Sequence, residues 1–302
     1  LLENDPKQLT FRFSAYQLQQ DGFRDNQFLN KDDTNERDEL NTRLRLRWIA
    51  NDDWQWDGTL FYADADNGYD EWTLDNSRFD TISDQPGRDE QESVAASLRG
   101  RWSGLDNVDV TTISSFSDTK SLNSFDGDWT NPGAANFTYT GFAQTDRDRT
   151  RWSEEIRFDS VDSENALGLI DRWSTGIYFE NFQEDTRYDF IYNGFSDPFE
   201  TKFETETLSF YGQGTHLFSD NTRLTLGLRI ERYDLQTVVA YDPTEKPLSA
   251  NNPGFNDWLF GGKVTLEHDI SDTKTLFASF TKGYKAGGAN IFPGLESAVP
   301  TK

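Results

Sequence analysis

Apolar and polar residues alternate with a period of two along most of the chain. In the segment 222–230, every second residue from Leu224 to Ile230 is leucine or isoleucine, and the residues between them are Thr, Gly and Arg. Successive side chains of a strand point to opposite faces, so this period predicts strands with one apolar face. About eleven such segments of roughly ten residues follow one another, which is the length that a tilted strand needs to cross a bilayer.

One alternating segment, 43–48, carries an unusual polar face. Arg43, Arg45 and Arg47 alternate there with leucine and tryptophan. A soluble β-sandwich rarely places three arginines in a row on one strand face, whereas a water-filled barrel lumen accommodates them easily. We therefore expect these three arginines to face a lumen.

The connections between the predicted strands alternate between short and long. A meander with short turns at one end and long loops at the other is typical of outer-membrane barrels, whose short turns face the periplasm and whose long loops are extracellular. The predicted fold is thus all-β, an antiparallel up-and-down transmembrane β-barrel. The short connections fall at 50–53, 103–107, 219–221 and 269–272, with an intermediate one at 160–171, and the long ones fall at 21–39, 64–91, 120–146, 185–203 and 235–257.

Four tryptophans lie beside the short connections. Trp48, Trp54, Trp102 and Trp173 are all predicted to lie at the same end of the strands. Outer-membrane barrels carry aromatic girdles where the strands leave the hydrocarbon layer, so we expect a periplasmic girdle here. The alternative is that they are core residues of a soluble β-protein, but core tryptophans have no reason to cluster at one end.

Composition alone indicates a different kind of protein. The chain has 302 residues, 34% of them hydrophobic and 27% charged, with a net charge of −24, which is typical of a soluble acidic protein. Aromatic residues make up 15% of the chain, whereas disordered acidic chains contain few aromatic residues. No apolar run is long enough for a transmembrane helix. A membrane β-barrel is compatible with both the polar average composition and the high aromatic content, because only every second residue of a strand must be apolar.

Several functional classes are disfavoured by the residues present. The acidic balance argues against nucleic acid, whose phosphates attract Lys and Arg. The chain contains no Cys. An outer-membrane phospholipase needs a Ser–His pair, but no serine nucleophile motif accompanies His216 or His268. We therefore expect no enzyme, no cofactor and no metal centre. The acidic segment 64–71 does not fit a calcium loop, since Gly68 occupies the third ligand position. The acidic loops are expected to be solvated. The alternatives are divalent-cation bridging to lipopolysaccharide phosphates and attraction of a cationic substrate.

Four segments, in order along the chain, resemble strands of TonB-dependent outer-membrane receptors. Two carry most of the resemblance: FASFTKGYKAGGAN at 277–290, and RWSEEIRF at 151–158, where Glu154 stands in place of the usual Gln. The other two are a hairpin formed by FYGQ at 210–213 and LTLGLR at 224–229, and an early hairpin around RFS at 12–14 with DGF at 21–23.

This resemblance implies a barrel of 22 strands, closed by an N-terminal plug domain and energised by the TonB–ExbB–ExbD complex. About eleven strands are half of that number, so residues 1–302 are expected to be part of the barrel domain only. We expect the plug domain, the TonB box and the C-terminal strands to lie outside this chain, and the chain to begin inside a longer protein, because it has no Met at position 1. Arg43, Arg45 and Arg47 are then expected to contact the plug.

The function implied is active import of a scarce nutrient across the bacterial outer membrane. The subgroup resembles receptors for ferric siderophores and other iron complexes, while a vitamin, heme or an oligosaccharide remains an alternative cargo. A passive porin or an adhesin-like barrel remains an alternative function. Expected partners are the iron chelate, the plug, TonB–ExbB–ExbD and outer-membrane lipid with lipopolysaccharide. Aromatic and cationic residues of the long loops are the candidates for substrate contact: Tyr69, Trp72, Arg88, Trp129, Tyr139, Tyr192 and Phe195.

Overall fold

The computed structural model describes residues 8–161, 168, 170–196, 198–240 and 254–288. Within these residues the regular structure is entirely β-strand, and no helix is long and apolar enough to span a membrane. The strands are β1 (Leu9–Gln20), β2 (Asp25–Asn26), β3 (Arg37–Ile49), β4 (Trp54–Tyr69), β5 (Asp80–Thr81), β6 (Gly87–Trp102), β7 (Val108–Asp126), β8 (Gly141–Ser160), β9 (Arg172–Tyr192), β10 (Phe195–Ser196), β11 (Phe199–Ser219), β12 (Thr222–Ala240), β13 (Phe255–Ser271) and β14 (Lys274–Lys282).

Eleven of the described strands form one antiparallel up-and-down sheet. Their order is β1-β3-β4-β6-β7-β8-β9-β11-β12-β13-β14, and the short β10 folds back onto the end of β9. Each long strand therefore pairs with the next long strand in sequence, as the predicted meander requires. In the described residues β1 and β14 each pair on one side only, so the sheet is not closed there.

The asymmetry of the connections is confirmed. One end of the sheet, the short-turn end, has turns at 50–53, 103–107, 220–221 and 272–273. The other, the long-loop end, carries loops L1 (21–36, with β2), L2 (70–86, with β5), L3 (127–140) and L4 (193–198, with β10). Parts of the predicted connections 160–171 and 235–257 lie outside the described residues.

Several strands are longer than the roughly ten residues expected. β9 and β11 each have 21 residues, so the predicted loop 185–203 shrinks to L4. Polar residues extend the pairing of these two strands. Lys202 lies opposite Asp185, and Lys202 Nζ is 3.8 Å from Asp185 Oδ1. Backbone pairing does not depend on apolar side chains, so polar strand ends continue the ladder where the hydrophobic pattern has stopped.

The two faces of the sheet differ sharply. The apolar face carries large exposed side chains, including Phe11 (74% exposed), Leu228 (76%) and Phe280 (77%). Among the described residues, Leu235 is the one apolar side chain that is fully buried. A soluble domain would bury such side chains in a core, so the apolar face needs an apolar environment outside the protein.

The apolar face ends abruptly toward the long loops. On β4 it is apolar or glycine from Trp54 to Tyr62, and Tyr62 lies opposite Val94 of β6. The next pair on the same face is Asp64 opposite Glu92. The apolar band is therefore about nine residues tall, and a tilted strand needs about 9–11 residues to cross a bilayer.

The opposite, polar face behaves as the concave side of the sheet. Tyr211 on β11 donates a hydrogen bond to Glu155 on β8, reaching across β9 at Gly176. Tyr284 likewise donates from Oη to Glu231 Oε2 of β12 (3.1 Å), reaching across β13. Long side chains converge in this way on the inside of a curved sheet, which is the geometry of a barrel wall with a polar lumen.

Candidate functional site

Loops L1 and L2 dock on each other around a buried carboxylate. Asp70 is 4% exposed, and its Oδ2 accepts hydrogen bonds from Asn26 Nδ2 (2.9 Å), Thr34 Oγ1 (2.9 Å) and Thr81 Oγ1 (2.6 Å). The short strands β2 and β5 pair in parallel beside it. The sequence predicts a solvated acidic loop here. In the structure, however, three donors converge on Asp70, which fixes L1 against L2.

L2 in turn docks on L3. The backbone N–H of Asp84 donates to the carbonyl of Thr130 (3.1 Å), and Asn131 Nδ2 donates to the carbonyl of Ile82 (2.8 Å). L1, L2 and L3 are thus joined at the long-loop end by polar contacts between loops distant in sequence.

An aromatic cluster lies where these loops meet. The indoles of Trp72 in L2 and Trp129 in L3 stack with centroids 5.6 Å apart and an interplanar angle of 21°. Trp72 Nε1 donates to Tyr69 Oη (3.2 Å), and the Trp72 ring remains 51% exposed. Stacked indoles with an open face can receive a planar or cationic ligand.

A second aromatic pair flanks this cluster. Tyr139 in L3 and Tyr192 at the end of β9 have ring centroids 5.1 Å apart, and Tyr139 Oη donates to the carbonyl of Gly127 (3.0 Å). Phe195, 79% exposed, lies opposite Tyr192 in the β9–β10 hairpin. The structure therefore brings six of the seven sequence candidates into two neighbouring groups that L3 connects.

The remaining candidate, Arg88, lies apart from both groups. It stands at the start of β6, where its Nη1 is 2.7 Å from Glu90 and 3.6 Å from Asp66. These carboxylates neutralise the charge of Arg88 within the protein, and no cation–π contact among the described residues joins it to the aromatic rings.

The three arginines of β3 lie on the polar face, as their spacing predicted. Arg43 stacks over the ring of Phe61 (5.7 Å to the centroid), and Arg47 Nε is 2.6 Å from Asp57 Oδ1. All three side chains are exposed. Whether a plug covers them remains a prediction.

Three of the four segments that carry the family resemblance, all except the early hairpin, contribute to one recess in the polar face. The recess has a volume of about 940 Å³, and its lining includes Glu155, Arg157, Tyr211, Arg229 and Tyr284. In the sequence these residues belong to the family-like motifs, and the sequence alone assigns them no role. Because they lie on different strands, only the register shows that they share a wall.

The four short-turn tryptophans share the apolar face. Trp54 stacks on Trp102 of the neighbouring strand with centroids 5.9 Å apart, and Trp48 lies opposite Trp56. Trp173 lies opposite Gly214 at the same end. Their position fits a girdle, and contact with the membrane interface remains a prediction.

Comparison with known proteins agrees with this architecture. The structure of the ferric yersiniabactin uptake receptor FyuA from Yersinia pestis superposes with a TM-score of 0.77 at 15% identity, over 97% of this chain and 44% of that one. The ferric-catecholate import receptor Fiu from E. coli K12 in its open form gives 0.69 at 11% identity, over 91% and 51%. The copper transporter OprC gives 0.61 at 16% identity, over 90% and 40%.

Identities this low show a shared fold, and the chain spans about half or less of the length of each of these proteins. The sequence itself matches the family model "TonB dependent receptor-like, beta-barrel" over residues 3–300. That match covers nearly the whole chain and confirms the resemblance seen in its motifs. The chain belongs to the TonB-dependent receptor β-barrel family.

Proposed function

We propose that this chain is part of the barrel of an outer-membrane receptor that imports an iron complex with energy supplied through TonB. The observation that carries the proposal is the combination of an apolar band of membrane height with an aromatic cluster above it, at the long-loop end. The band would lie in the bacterial outer membrane, with the short turns in the periplasm. The aromatic cluster would then face the medium, where a scarce nutrient must be captured.

Iron is the cargo that the structural relatives favour. FyuA and Fiu are described as receptors for ferric yersiniabactin and ferric catecholates, although OprC is described as a copper transporter. Chelates of this kind present aromatic rings, which stack on indole and phenol faces. The stacked pair Trp72–Trp129 with its exposed face is the contact that we assign to the chelate, and Tyr139 with Tyr192 forms the adjoining wall.

The polar face is the proposed seat of a plug. The recess around Tyr211 and Arg229, together with Arg43, Arg45 and Arg47, offers both signs of charge and many hydrogen-bonding groups. A plug domain seated there would block passive flow, and TonB with ExbB and ExbD would supply the energy to displace it. The wall residues bind and position, and transport requires no covalent chemistry.

Uptake of a ⁵⁵Fe-labelled ferric catecholate by iron-starved cells tests this function. Cells with the complete receptor should accumulate iron, and deletion of the receptor or of TonB should abolish the uptake. The variant Trp72→Ala should raise the half-saturating chelate concentration by about tenfold, since loss of a stacking ring costs about 1.4 kcal/mol. Phe79→Ala, which removes an exposed ring of the same loop, should leave uptake unchanged.

Each alternative predicts a different result in that experiment. Uptake that persists without TonB would indicate a passive porin. Equal iron uptake with and without the receptor would refute iron as the cargo and direct attention to a vitamin, heme, an oligosaccharide or another metal.

A further inference from the structure

Three carboxylates from two loops meet beside the aromatic cluster. Asp126 ends β7, Asp128 follows in L3, and Asp84 comes from L2. One oxygen of each lies within 4.8 Å of the others. Asp126 and Asp128 are only 6% and 7% exposed, so solvent does little to screen their repulsion.

The site also contains buried oxygens that lack a hydrogen-bond partner. Asp126 Oδ2 and Asp84 Oδ1 accept no hydrogen bond, although both atoms are buried. Ser83, 1% exposed, lies beside the Asp126 carboxylate, and its Oγ has no partner of normal geometry. Thr130, two residues after Asp128 and 1% exposed, also has an unpartnered Oγ1. Buried polar atoms are rarely left unsatisfied, so the unpartnered oxygens of Asp126, Asp84 and Ser83 at this cluster indicate a missing ligand.

That ligand must be positively charged. Among the described residues no Lys, Arg or His forms an ion pair with Asp84, Asp126 or Asp128 within 4.0 Å.

The donors select the kind of cation. All are oxygens, which favours a hard ion over the metals that prefer His or Cys. Calcium takes 6–8 oxygen ligands at about 2.3–2.6 Å, so oxygens on opposite sides of the ion are about 4.6–5.2 Å apart. Ligand atoms that all lie within 4.8 Å of one another can share one such ion. Magnesium keeps most of its water and therefore suits a buried site made of protein oxygens less well.

We propose that Asp84, Asp126 and Asp128, with the hydroxyls of Ser83 and Thr130, bind one calcium ion that joins L2 to L3. Some contacts inside the site support this arrangement. Asp126 Oδ1 is occupied by the backbone N–H groups of Asp128 (3.0 Å) and Trp129 (3.2 Å), which leaves Oδ2 directed elsewhere. The ion would be held within the protein, because Asp126 and Asp128 are too buried to bridge to lipopolysaccharide phosphates.

The ion would also organise the aromatic cluster. Trp129 follows Asp128 directly and has a positive φ of 57°, a conformation that a bulky residue rarely adopts without support. Its stacking partner Trp72 lies on L2, the other loop that the ion holds. Binding of the ion stands independently of the proposed transport function, and only this coupling to the chelate rests on it.

Calorimetric titration of CaCl₂ into the chelator-treated complete receptor, in lipopolysaccharide-free detergent, tests the site. One saturable ion per chain is expected, with weaker binding of MgCl₂. Tb³⁺ should compete with Ca²⁺ and emit on excitation of tryptophan, because Trp129 adjoins the site. Asp126→Asn should weaken binding by at least about tenfold, which corresponds to about 1.4 kcal/mol.

Two further variants keep the result interpretable. Asp75→Asn changes an exposed acid of L2 that is outside the cluster, and it should bind Ca²⁺ as the parent does. Ser83→Ala keeps every charge and removes one neutral ligand, so it should weaken binding severalfold even if Asp126→Asn fails to fold. Absence of saturable binding in the parent, binding only with added lipopolysaccharide, or equal affinities for Ser83→Ala and Asp75→Asn would overturn the proposal.

The two proposals fail in different ways. If Ca²⁺ binds but the receptor transports no iron, the calcium site is supported and the proposed transport of iron is refuted. If the receptor imports iron and Ca²⁺ does not bind, the site falls alone. If both proposals hold, removal of calcium should raise the half-saturating concentration of the iron complex, as Trp72→Ala does.

Discussion

Single buried polar residues hold the long-loop end together. Asp70 accepts hydrogen bonds from three donors of L1 and L2, while the nearby acids Asp66 and Asp75 are exposed. Nothing in the sequence distinguishes Asp70 from Asp66 or Asp75, because its role depends on Asn26, Thr34 and Thr81 folding back onto it. The candidate aromatic residues could be chosen from loop position and residue type, but their pairing could not, since it follows from this docking of the loops.

Removal of the Asp70 carboxylate should release L1 from L2. Asp70→Ala leaves three donors without an acceptor, and each buried unsatisfied group costs about 1–3 kcal/mol. Amide hydrogen exchange in residues 25–35 should therefore accelerate by at least about a hundredfold, while exchange in β3 and β4 stays unchanged. The exposed Asp75→Ala is the control. Equal protection of L1 in both variants would show that Asp70 does not hold the loops.

At the scale of the strands, the hydrophobic period predicted where each strand crosses the apolar band. The eleven strands and their order agree with it, because Leu224–Ile230 and similar segments match the two-residue repeat of a half-exposed sheet. The polar extensions were missed. At the long-loop end of β9 and β11, pairs such as Asp185 with Lys202 continue the ladder without any apolar signal.

The polarity of the two faces leads to a test within the strands. Leu228 lies inside the apolar band and is 76% exposed, so Leu228→Arg would place a charge in the hydrocarbon layer. We expect the free energy of unfolding in liposomes, measured by urea titration, to fall by about 2–4 kcal/mol. Gln213→Arg, an exposed position on the polar face, should change it by less than about 1 kcal/mol. Equal effects of the two substitutions would show that the faces are assigned wrongly.

At the scale of the whole molecule, the sheet is an open wall with two different ends. The apolar face, the polar concave face and the segregated loops are the features from which we propose an orientation across a membrane. The sequence motifs predicted the family, which the match over residues 3–300 confirms. They could not predict the recess or the calcium site, because each is assembled from strands or loops that only the fold brings together.

The proposed orientation also determines which positions should be accessible to a labelling reagent from outside the cell. Asp70 and Asp126 lie at the long-loop end, yet they are too buried for a cysteine reagent to reach. Phe195 in L4 is 79% exposed, and Asp106 in the turn 103–107 is exposed at the opposite end. The chain contains no natural cysteine, so an introduced one is labelled without background from this region.

Labelling of intact cells with a membrane-impermeant maleimide tests the account most directly. The variant Phe195→Cys should be labelled in intact cells, and Asp106→Cys should be labelled only after the outer membrane is permeabilised. Detection of both proteins in the outer-membrane fraction is the control for assembly. Labelling of Asp106→Cys in intact cells, with Phe195→Cys protected, would contradict the orientation and with it the placement of the aromatic cluster and its chelate outside the cell.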